Sequence, residues 1–568
     1  QVDRVARLIP PELTITLDRA LEESRELSNI YHQEEAVRNL VDSARKLEGI
    51  VRHASTHAAG VVISHDLLTE YVPLQKVGKG SQQALMTQFH MGNIAHLGLL
   101  KMDLLGLSNL TILVKATEII RQEQGISVDL QHIPLNDTKT FELLASGETK
   151  GVFQLESSGM RRYIKELKPT SFSDIAAMVA LYRPGPMEQI PTFIKAKQGV
   201  IPVRYPHPAL REILEETYGV IVYQEQVILI AQALAGYSLG QADIFRKAMG
   251  KKIPEVMRKE EQNFIAGAKK RGLSAELARA IFSLIEPFAG YAFNKAHSVS
   301  YALIAYRTAY LKANYPVEYI TAFLNTYSDN MERVRSAIAE CRRLGIEVPP
   351  PDINQSQLDF AIEKEGKDSP AIRFGLSAIK NVGASPIRSV LTARSQGGAF
   401  KSMEDFCHRV DLRNINKKVL ESLIKVGAFD SLGSRKALLK SLNKIVSLAQ
   451  TEYRMKVAGQ SSMFDFWAQT PPTFLPSPSK GEGKGESEDV PINQKLIWER
   501  ELSGVYFSQH PLAFLTPSPS PEQGEGSPMR TISCSEINTD MTNETVMVTA
   551  MVVSVRQAYT RDKRPFIV

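Results

Sequence analysis

The sequence is poor in cysteine and tryptophan: its 568 residues include three cysteines, Cys341, Cys407 and Cys534, and two tryptophans. Three scattered thiols are too few for a disulfide framework or a paired-cysteine zinc site, and a reducing, cytoplasmic setting suits such a chain. No run approaches the ~18 continuous apolar residues that span a bilayer, so no membrane partner is expected. A basic-then-apolar leader with a small-residue cleavage site is missing as well. Neither sign of charge dominates, since 68 Lys and Arg against 62 Asp and Glu leave +6. That balance permits a polyanionic partner without requiring one, because local clustering matters more than the total. With 43% hydrophobic and 23% charged residues, the composition excludes disorder along the whole chain. The length suggests roughly four domains. The first residue is Gln1, and Val568 falls inside an apolar run; both ends read as cuts through a longer protein.

Residues 1–50 read as helices, with Leu17, Leu21, Leu27, Ile30 and Tyr31 giving a helical stripe. Between 56 and 112 the pattern changes. Gly60–Ser64 and Leu97–Gly106 are short, apolar and flanked by glycine, as buried strands are. Long helical patterns return over 113–345, broken at Arg183–Pro186 and at Asn314–Pro316, because Pro and Gly interrupt helices sterically. Val348–Asp352, with three prolines, is a stiff connector to a helix-rich module that runs to about Gly433. Two similar stretches, Pro476–Glu486 and Thr516–Gly526, lack apolar residues to bury and are expected to be disordered inserts. From Glu544 onward the chain reads as a strand pair cut short.

Four groups of residues could carry chemistry. Asp103 sits in an otherwise nearly apolar strand, and strand alternation puts Lys101 on its face. It is either one half of an ion pair or a hard oxygen ligand for Mg²⁺. Second, Asp243–Arg271 carries nine Lys and Arg against four acids, centred on Phe245–Lys252. This is a solvated face or a phosphate-binding one. Third, Gly290–Tyr301 gathers aromatics, amides, Lys295 and His297 on about three helical turns, a set that can stack a base and bind phosphates or simply pack a helix N-terminus. Fourth, Leu376–Gly383 has a looser copy in Leu423–Phe429. A helix, a glycine-ended hairpin and a second helix expose backbone N–H groups to DNA phosphates without reading bases, although two ordinary helical hairpins would look the same.

The order of motifs is more specific than any one of them. Ser55–Ile63, Lys101–Leu107, Gly151–Ser157, Tyr182–Pro186, Tyr223–Val227, Arg246–Lys252 and Phe293–Ser298 together resemble the alpha (catalytic) subunits of bacterial replicative DNA polymerase III, the C family of DNA polymerases. The resemblance runs over nearly the whole chain apart from the two inserts. It implies a multidomain α+β, mostly helical fold: a partial thumb (1–52), the carboxy-terminal half of a polymerase-beta-like palm (53–110), fingers (111–345) and a tandem helix–hairpin–helix module (346–432). A clamp-binding segment (433–470), an insert (471–490), a connector (491–515), a second insert (516–528) and the start of an OB-fold domain (529–568) would follow.

Carried over residue by residue, the resemblance makes Asp103 the third of three palm aspartates that hold two Mg²⁺ ions, with Lys101 in the catalytic set. The first two aspartates, in an Asp-x-Asp motif, are expected upstream of Gln1, so the chain reads as a carboxy-terminal part, inactive alone. Arg183, Arg246, Lys247, Asn294, Lys295 and His297 would face the deoxynucleoside triphosphate; Lys247 stands where Arg is common, which weakens bidentate phosphate recognition there. Lys251, Lys252, Lys380, Asn381, Gly383, Lys425 and Gly427 would hold primer–template DNA. Gln460, Met463 and Phe464, within Gly459–Phe466, resemble the short peptide with which the family grips the sliding clamp. Met463 and Phe464 would serve as apolar anchors; packing of Phe464, Phe466 and Trp467 on the preceding helix is the other reading. Implied partners include the clamp loader and, with no Asp-x-Glu exonuclease motif visible, a separate proofreading subunit. The alternative is a non-catalytic DNA- and clamp-binding chain in which Asp103 is structural.

Overall fold

The computed structural model describes residues 2–10, 15–50, 56–57, 59–77, 84–251, 254–289, 293–363, 370–411, 415–457, 489–509, 557–559 and 565–567. The described chain is mostly helical, with small two-stranded sheets, and divides into residues 1–107 and 108–568.

In the first unit, helices α1 (Val2–Arg7), α2 (Leu17–Glu23), α3 (Arg25–Gln33) and α4 (Glu35–Leu47) pack around Val5, Ala20, Leu27, Ile30, Val37 and Val41. Thr16 and Ser24 start α2 and α3, their hydroxyls accepting from Arg19 N and Leu27 N, as N-caps do. Strands β1 (Gly60–Ile63), β2 (Leu74–Val77) and β3 (Ala84–Thr87) follow, then α5 (Met91–His96) and β4 (Leu100–Asp103). β2 pairs with β3, and β1 pairs antiparallel with β4 in the register Gly60↔Asp103, Val61↔Met102, Val62↔Lys101, Ile63↔Leu100. Both expected strands therefore exist, but the expectation that they are buried is corrected. Val61, Ile63, Leu100 and Met102 share one face of the ribbon and are all exposed, because a two-stranded ribbon can cover neither of its own faces.

The second unit begins with α6 (Ser108–Gln124), α7 (Thr138–Ser146), α8 (Ser158–Leu167), α9 (Phe172–Leu181) and α10 (Ile190–Lys197). It continues with α11 (Arg211–Leu214), α12 (Gln224–Ala235), α13 (Leu239–Lys251), α14 (Pro254–Lys270) and α15 (Ala275–Ala289). Then come α16 (Lys295–Asn314), α17 (Pro316–Thr326) and α18 (Met331–Arg343). The breaks lie where Pro and Gly place them: α9 stops at Leu181 before Arg183–Pro186, and Pro316 opens α17. α16 is the axle. Ala302, Ala305 and Ala309 are fully buried, and α16 packs against α6, α7, α9 and α17. Small side chains let helix axes approach closely. The Ser298 hydroxyl donates to Ala176 O of α9, and Tyr306 Oη accepts from Asp137 N at 3.0 Å. A separate core of Leu210, Val227, Ile230, Phe245, Phe264 and Phe282 joins α11–α15.

A third part holds β5 (Ala361–Glu363) paired with β6 (Ala371–Arg373), then α19 (Ala384–Gly397), α20 (Met403–Arg409), α21 (Lys417–Val426) and α22 (Arg435–Val457). Its core is continuous with that of α6 and α16–α18. α23 (Ile492–Ser503) returns to this core through Leu502 and Val505. β7 (Gln557–Tyr559) pairs with β8 (Pro565–Ile567). Residues 471–488 of the first expected insert, all of the second and most of 529–568 lie outside the described residues. Neither Cys341 nor Cys407, both buried, forms a disulfide. Among the described residues no helix is long and apolar enough to cross a membrane.

Candidate active site

The loop before α16 is pinned to the loop before α12. Phe293 N donates to Val222 O at 3.1 Å and Gln224 N donates to Phe293 O at 2.9 Å. Gln226, buried, fixes the other side of this junction. Its Oε1 accepts from Val222 N and Tyr223 N, and its Nε2 donates to Thr217 Oγ1. Asn294 caps α16, its Oδ1 accepting from His297 N at 2.8 Å.

On that frame the structure brings together residues more than 100 positions apart. The Arg183 guanidinium lies 4.1 Å over the Phe293 ring, held by Nε donating to Ala180 O; burial pulls its pKa down. His297 packs between Phe293 and Tyr301, with ring centroids 5.2 and 4.2 Å away. Arg246 reaches the same junction from α13, Nη1 donating to Gln224 Oε1 at 3.1 Å. Arg183, Arg246, Asn294, Lys295 and His297 thus line one junction, and Lys247 joins them through Asp243, whose Oδ2 it meets at 2.7 Å.

Arg246, Lys247 and Lys295 are already paired with carboxylates. Arg246 Nη2 donates to Asp243 Oδ1 at 2.8 Å, and the Asp243 carboxyl is held below the usual range by hydrogen bonds from Lys247 and then Arg246. Lys295 Nζ meets Glu216 Oε2 at 2.5 Å. Glu225 takes the start of α16: Lys295 N donates to its Oε2 at 3.0 Å and Asn294 Nδ2 to its Oε1 at 3.1 Å. Glu216 and Glu225 were not among the expected site residues. Their sequence separations from Lys295, 79 and 70, carry no local signal. The Asp243 pairings at i,i+3 and i,i+4 were visible in the helical spacing.

Asp103 lies at the end of β4 in the other unit. Lys101 Nζ bonds its Oδ1, and His57 Nδ1 stands 3.9 Å from the same oxygen. The hydrogen bond from Lys101 dominates and lowers the carboxyl pKa against a weaker opposing desolvation. Gly60, opposite Asp103, leaves room for this arrangement, because a Cβ there would stand 2.9 Å from both Lys101 Cε and His57 Nδ1. Among the described residues no group of three or more His, Cys, Asp or Glu could hold a metal ion. Asp103 fits as one ionised oxygen donor, and a full donor set is not assembled among them.

The two hairpins differ from each other. In the first, the expected leading helix is replaced by a single 3₁₀ turn, Leu376–Ala378, because the β5–β6 ribbon precedes it directly. The left-handed residue is Asn381, φ 70°, and Gly383 is extended at the N-cap of α19. Lys380, Asn381 and Gly383 are exposed there. The second is a helix end: Gly427, φ 94°, is buried, and its N–H bonds Ile424 O at 3.1 Å. Lys425 is paired with Glu421 at 2.6 Å. This corrects the expectation that the Gly427 N–H is open to a phosphate. Lys252, Gln460, Met463 and Phe464 lie outside the described residues, and Lys251 is described only as the last residue of α13.

Residues 109–272 match the bacterial DNA polymerase III alpha subunit finger domain, and residues 1–106 match the bacterial DNA polymerase III alpha NTPase domain. A helix-hairpin-helix motif matches 345–439. DNA polymerase III subunit alpha of Thermus aquaticus is 44% identical over 522 residues, covering 90% of this chain and 41% of its own length. The Escherichia coli K12 subunit is 43% identical over 523 residues, covering 90% and 44%, and the Bacillus subtilis one 42% over 515, again 90% and 44%.

The chain belongs to the bacterial DNA polymerase III alpha subunit family. It spans less than half the length of these curated relatives. Within the family frame Lys101 and Asp103 fall in the NTPase-domain match, and Arg183, Arg246 and Lys247 fall in the finger match. Lys380–Gly383 and Lys425–Gly427 fall in the hairpin match. Asn294, Lys295 and His297 lie beyond the finger match, and the folded junction joins them to it.

Proposed function

We propose that this chain supplies the nucleotide-binding fingers, one catalytic carboxylate and the DNA-backbone module of a template-directed DNA polymerase acting in bacterial chromosome replication. The observation that carries the reading is the convergence of Arg183, Arg246, Lys247, Asn294, Lys295 and His297 on one helix start. Arg and Lys give charge-assisted bonds to a triphosphate, strengthening as charge builds on the leaving pyrophosphate. The aromatic faces of Phe293, His297 and Tyr301 suit a nucleoside. Asp103, on a palm-like ribbon, would be one ligand for Mg²⁺. Two such ions, when bound, lower the primer hydroxyl pKa and stabilise the leaving group. The N-terminus of α19 with Lys380, Asn381 and Gly383 suits a DNA phosphate. The sliding clamp, met through Gln460, Met463 and Phe464, the other replicase subunits, the OB-fold start and a cytoplasmic place of action complete the proposal.

In the full-length polymerase, Arg246→Ala is expected to impair nucleotide incorporation far more than primer–template binding. Equal losses in steady-state incorporation and in duplex affinity would assign the basic helix to DNA backbone instead. The Lys101–Asp103 pair favours a second reading, in which Asp103 is structural and the chain only binds DNA and clamp. Asp103→Asn separates the two: it should abolish extension while duplex binding persists, and undiminished extension would select the structural reading.

A further inference from the structure

The junction proposed to take a triphosphate is occupied by the protein's own carboxylates. Lys295, Arg246 and Lys247 face Glu216 and Asp243, and Glu225 holds the Lys295 N–H and the Asn294 amide. A helix N-terminus and its flanking cations favour anions, and here the anion is built in.

Glu225 is not needed to hold the junction together. The backbone bonds between 222–224 and 293 do that, with Gln226 bracing them from below. Asn294 caps α16 through the His297 N–H, a bond that does not involve Glu225. Glu225 is only half-buried, so its carboxylate can turn out to solvent without exposing core. A side chain that contributes charge at the mouth of a site but little to its framework is a competitor for what the site binds.

We propose that Glu225 is an internal competitor for the incoming triphosphate, occupying a phosphate position at the start of α16 and leaving it when the nucleotide arrives. The inference rests on the triphosphate reading above. Competition of this kind weakens every ligand that needs that position by the same factor and sets a threshold that a weak binder fails to reach. A triphosphate engages Lys295, Arg246 and Lys247 together and displaces the carboxylate, whereas a diphosphate or inorganic pyrophosphate makes fewer such contacts and displaces it less well. After transfer, return of the Glu225 carboxylate to the Lys295 N–H would favour departure of pyrophosphate.

The test is equilibrium binding of dTTP, dTDP and pyrophosphate to the full chain by calorimetry, with wild type, Glu225→Gln, Glu225→Ala and Arg246→Ala. Removing the Glu225 charge should tighten dTTP binding about tenfold, a size Coulomb's law allows for one charge beside a polyanion near a protein surface. It should tighten dTDP and pyrophosphate by a similar factor wherever they use the same phosphate position, since a common competitor weakens each such ligand equally. Unchanged or weaker dTTP binding by Glu225→Gln at unchanged melting temperature overturns the proposal. The wild type gives a readout that no misfolded variant can obscure. With ¹⁵N-lysine label, the Lys295 amide resonance should move on dTTP saturation, and an unmoved resonance at saturation also overturns the proposal. Arg246→Ala separates the two levels. If it weakens dTTP binding while Glu225→Gln fails to tighten it, only the competitor role falls; if no form binds dTTP, the triphosphate reading falls with it.

Discussion

Asp103 shows how little a single residue declares in sequence. Its partner on the same strand face is there to be read, but the His57 contact at 3.9 Å comes from across the β1–β4 ribbon. With its folded pKa depressed mainly by the Lys101 hydrogen bond, any stability it contributes is present above the unfolded value of ~3.9 and is lost as pH falls through the folded one. A ¹³C-detected titration should therefore place Asp103 below that unfolded value, and Lys101→Met should move it up; an unmoved midpoint would mean the pair does not persist in solution. Lys312 is the opposite case, an unremarkable lysine in a helical run that turns out fully enclosed. Its Nζ donates to Glu148 O, Lys150 O and Glu340 Oε1 at 2.7–2.8 Å, while burial pushes its pKa down against the pull of Glu340. Glu340 is also held by Arg343, Nη2 at 2.7 Å, so Lys312→Met strands two carbonyls but not the carboxylate, and should cost about 1–3 kcal/mol in denaturant unfolding. Lys312→Met with Glu340→Leu should recover little of that loss; a double variant as stable as the wild type would show that the ion pair, and not the carbonyl contacts, matters.

At the scale of elements, helix existence was legible and helix neighbours were not. The breaks at Arg183–Pro186 and Asn314–Pro316 followed from ring geometry and missing donors, and the N-caps Ser157 and Asn330 act within three residues. The hairpin pair shows the limit. Two segments that look alike in sequence fold as a 3₁₀ turn feeding α19 and as a buried helix end after α21, because what precedes each one differs. The exposed copy should carry the DNA contact: Lys380→Ala is expected to lower duplex affinity and flatten its salt dependence by about one ion. Lys425→Ala, already neutralised by Glu421, should leave both nearly unchanged. The reverse ranking in a salt-dependence measurement would reassign the contact to the second copy. Gly267 marks a contact invisible in any local pattern. A Cβ there would stand 2.3 Å from Ala235 O of α12, so Gly267→Ala should destabilise the α12–α14 packing by about 1–3 kcal/mol, read as a fall in melting temperature.

For the second unit as a whole, the segment 489–509 does what its sequence gave no reason to expect. The connector expected over 491–515 follows a low-complexity stretch and precedes another, yet 489–509 crosses back over both α18 and the hairpin module. Arg335 Nε donates to Gly504 O at 3.0 Å, Lys380 N donates to Leu502 O at 2.8 Å, and Phe507 meets the Phe374 ring edge-on at 5.2 Å. The pin is Glu499, fully buried. Its Oε1 accepts from Arg435 Nη1 at 3.0 Å, and its Oε2 accepts from Phe507 N at 2.8 Å and Ser508 N at 3.0 Å. A buried carboxylate with four donors, including the Ser508 hydroxyl, holds its segment only while all are satisfied, and its loss leaves Arg435 buried without that counter-charge. Glu499→Leu should therefore release residues 489–509 to limited proteolysis and lower the melting temperature. Because Leu502 O accepts the Lys380 N–H, it should also speed hydrogen exchange at the Lys380 amide, on the hairpin proposed to meet DNA. Arg435 keeps Asp430, which accepts from its Nε and Nη2 at 2.9 and 2.8 Å, so Arg435→Met combined with Glu499→Leu should restore little of the melting temperature and none of the exchange protection. If Glu499→Leu leaves the Lys380 amide as slow as in the wild type, the hairpin is held by its own module and the returning segment is only a passenger.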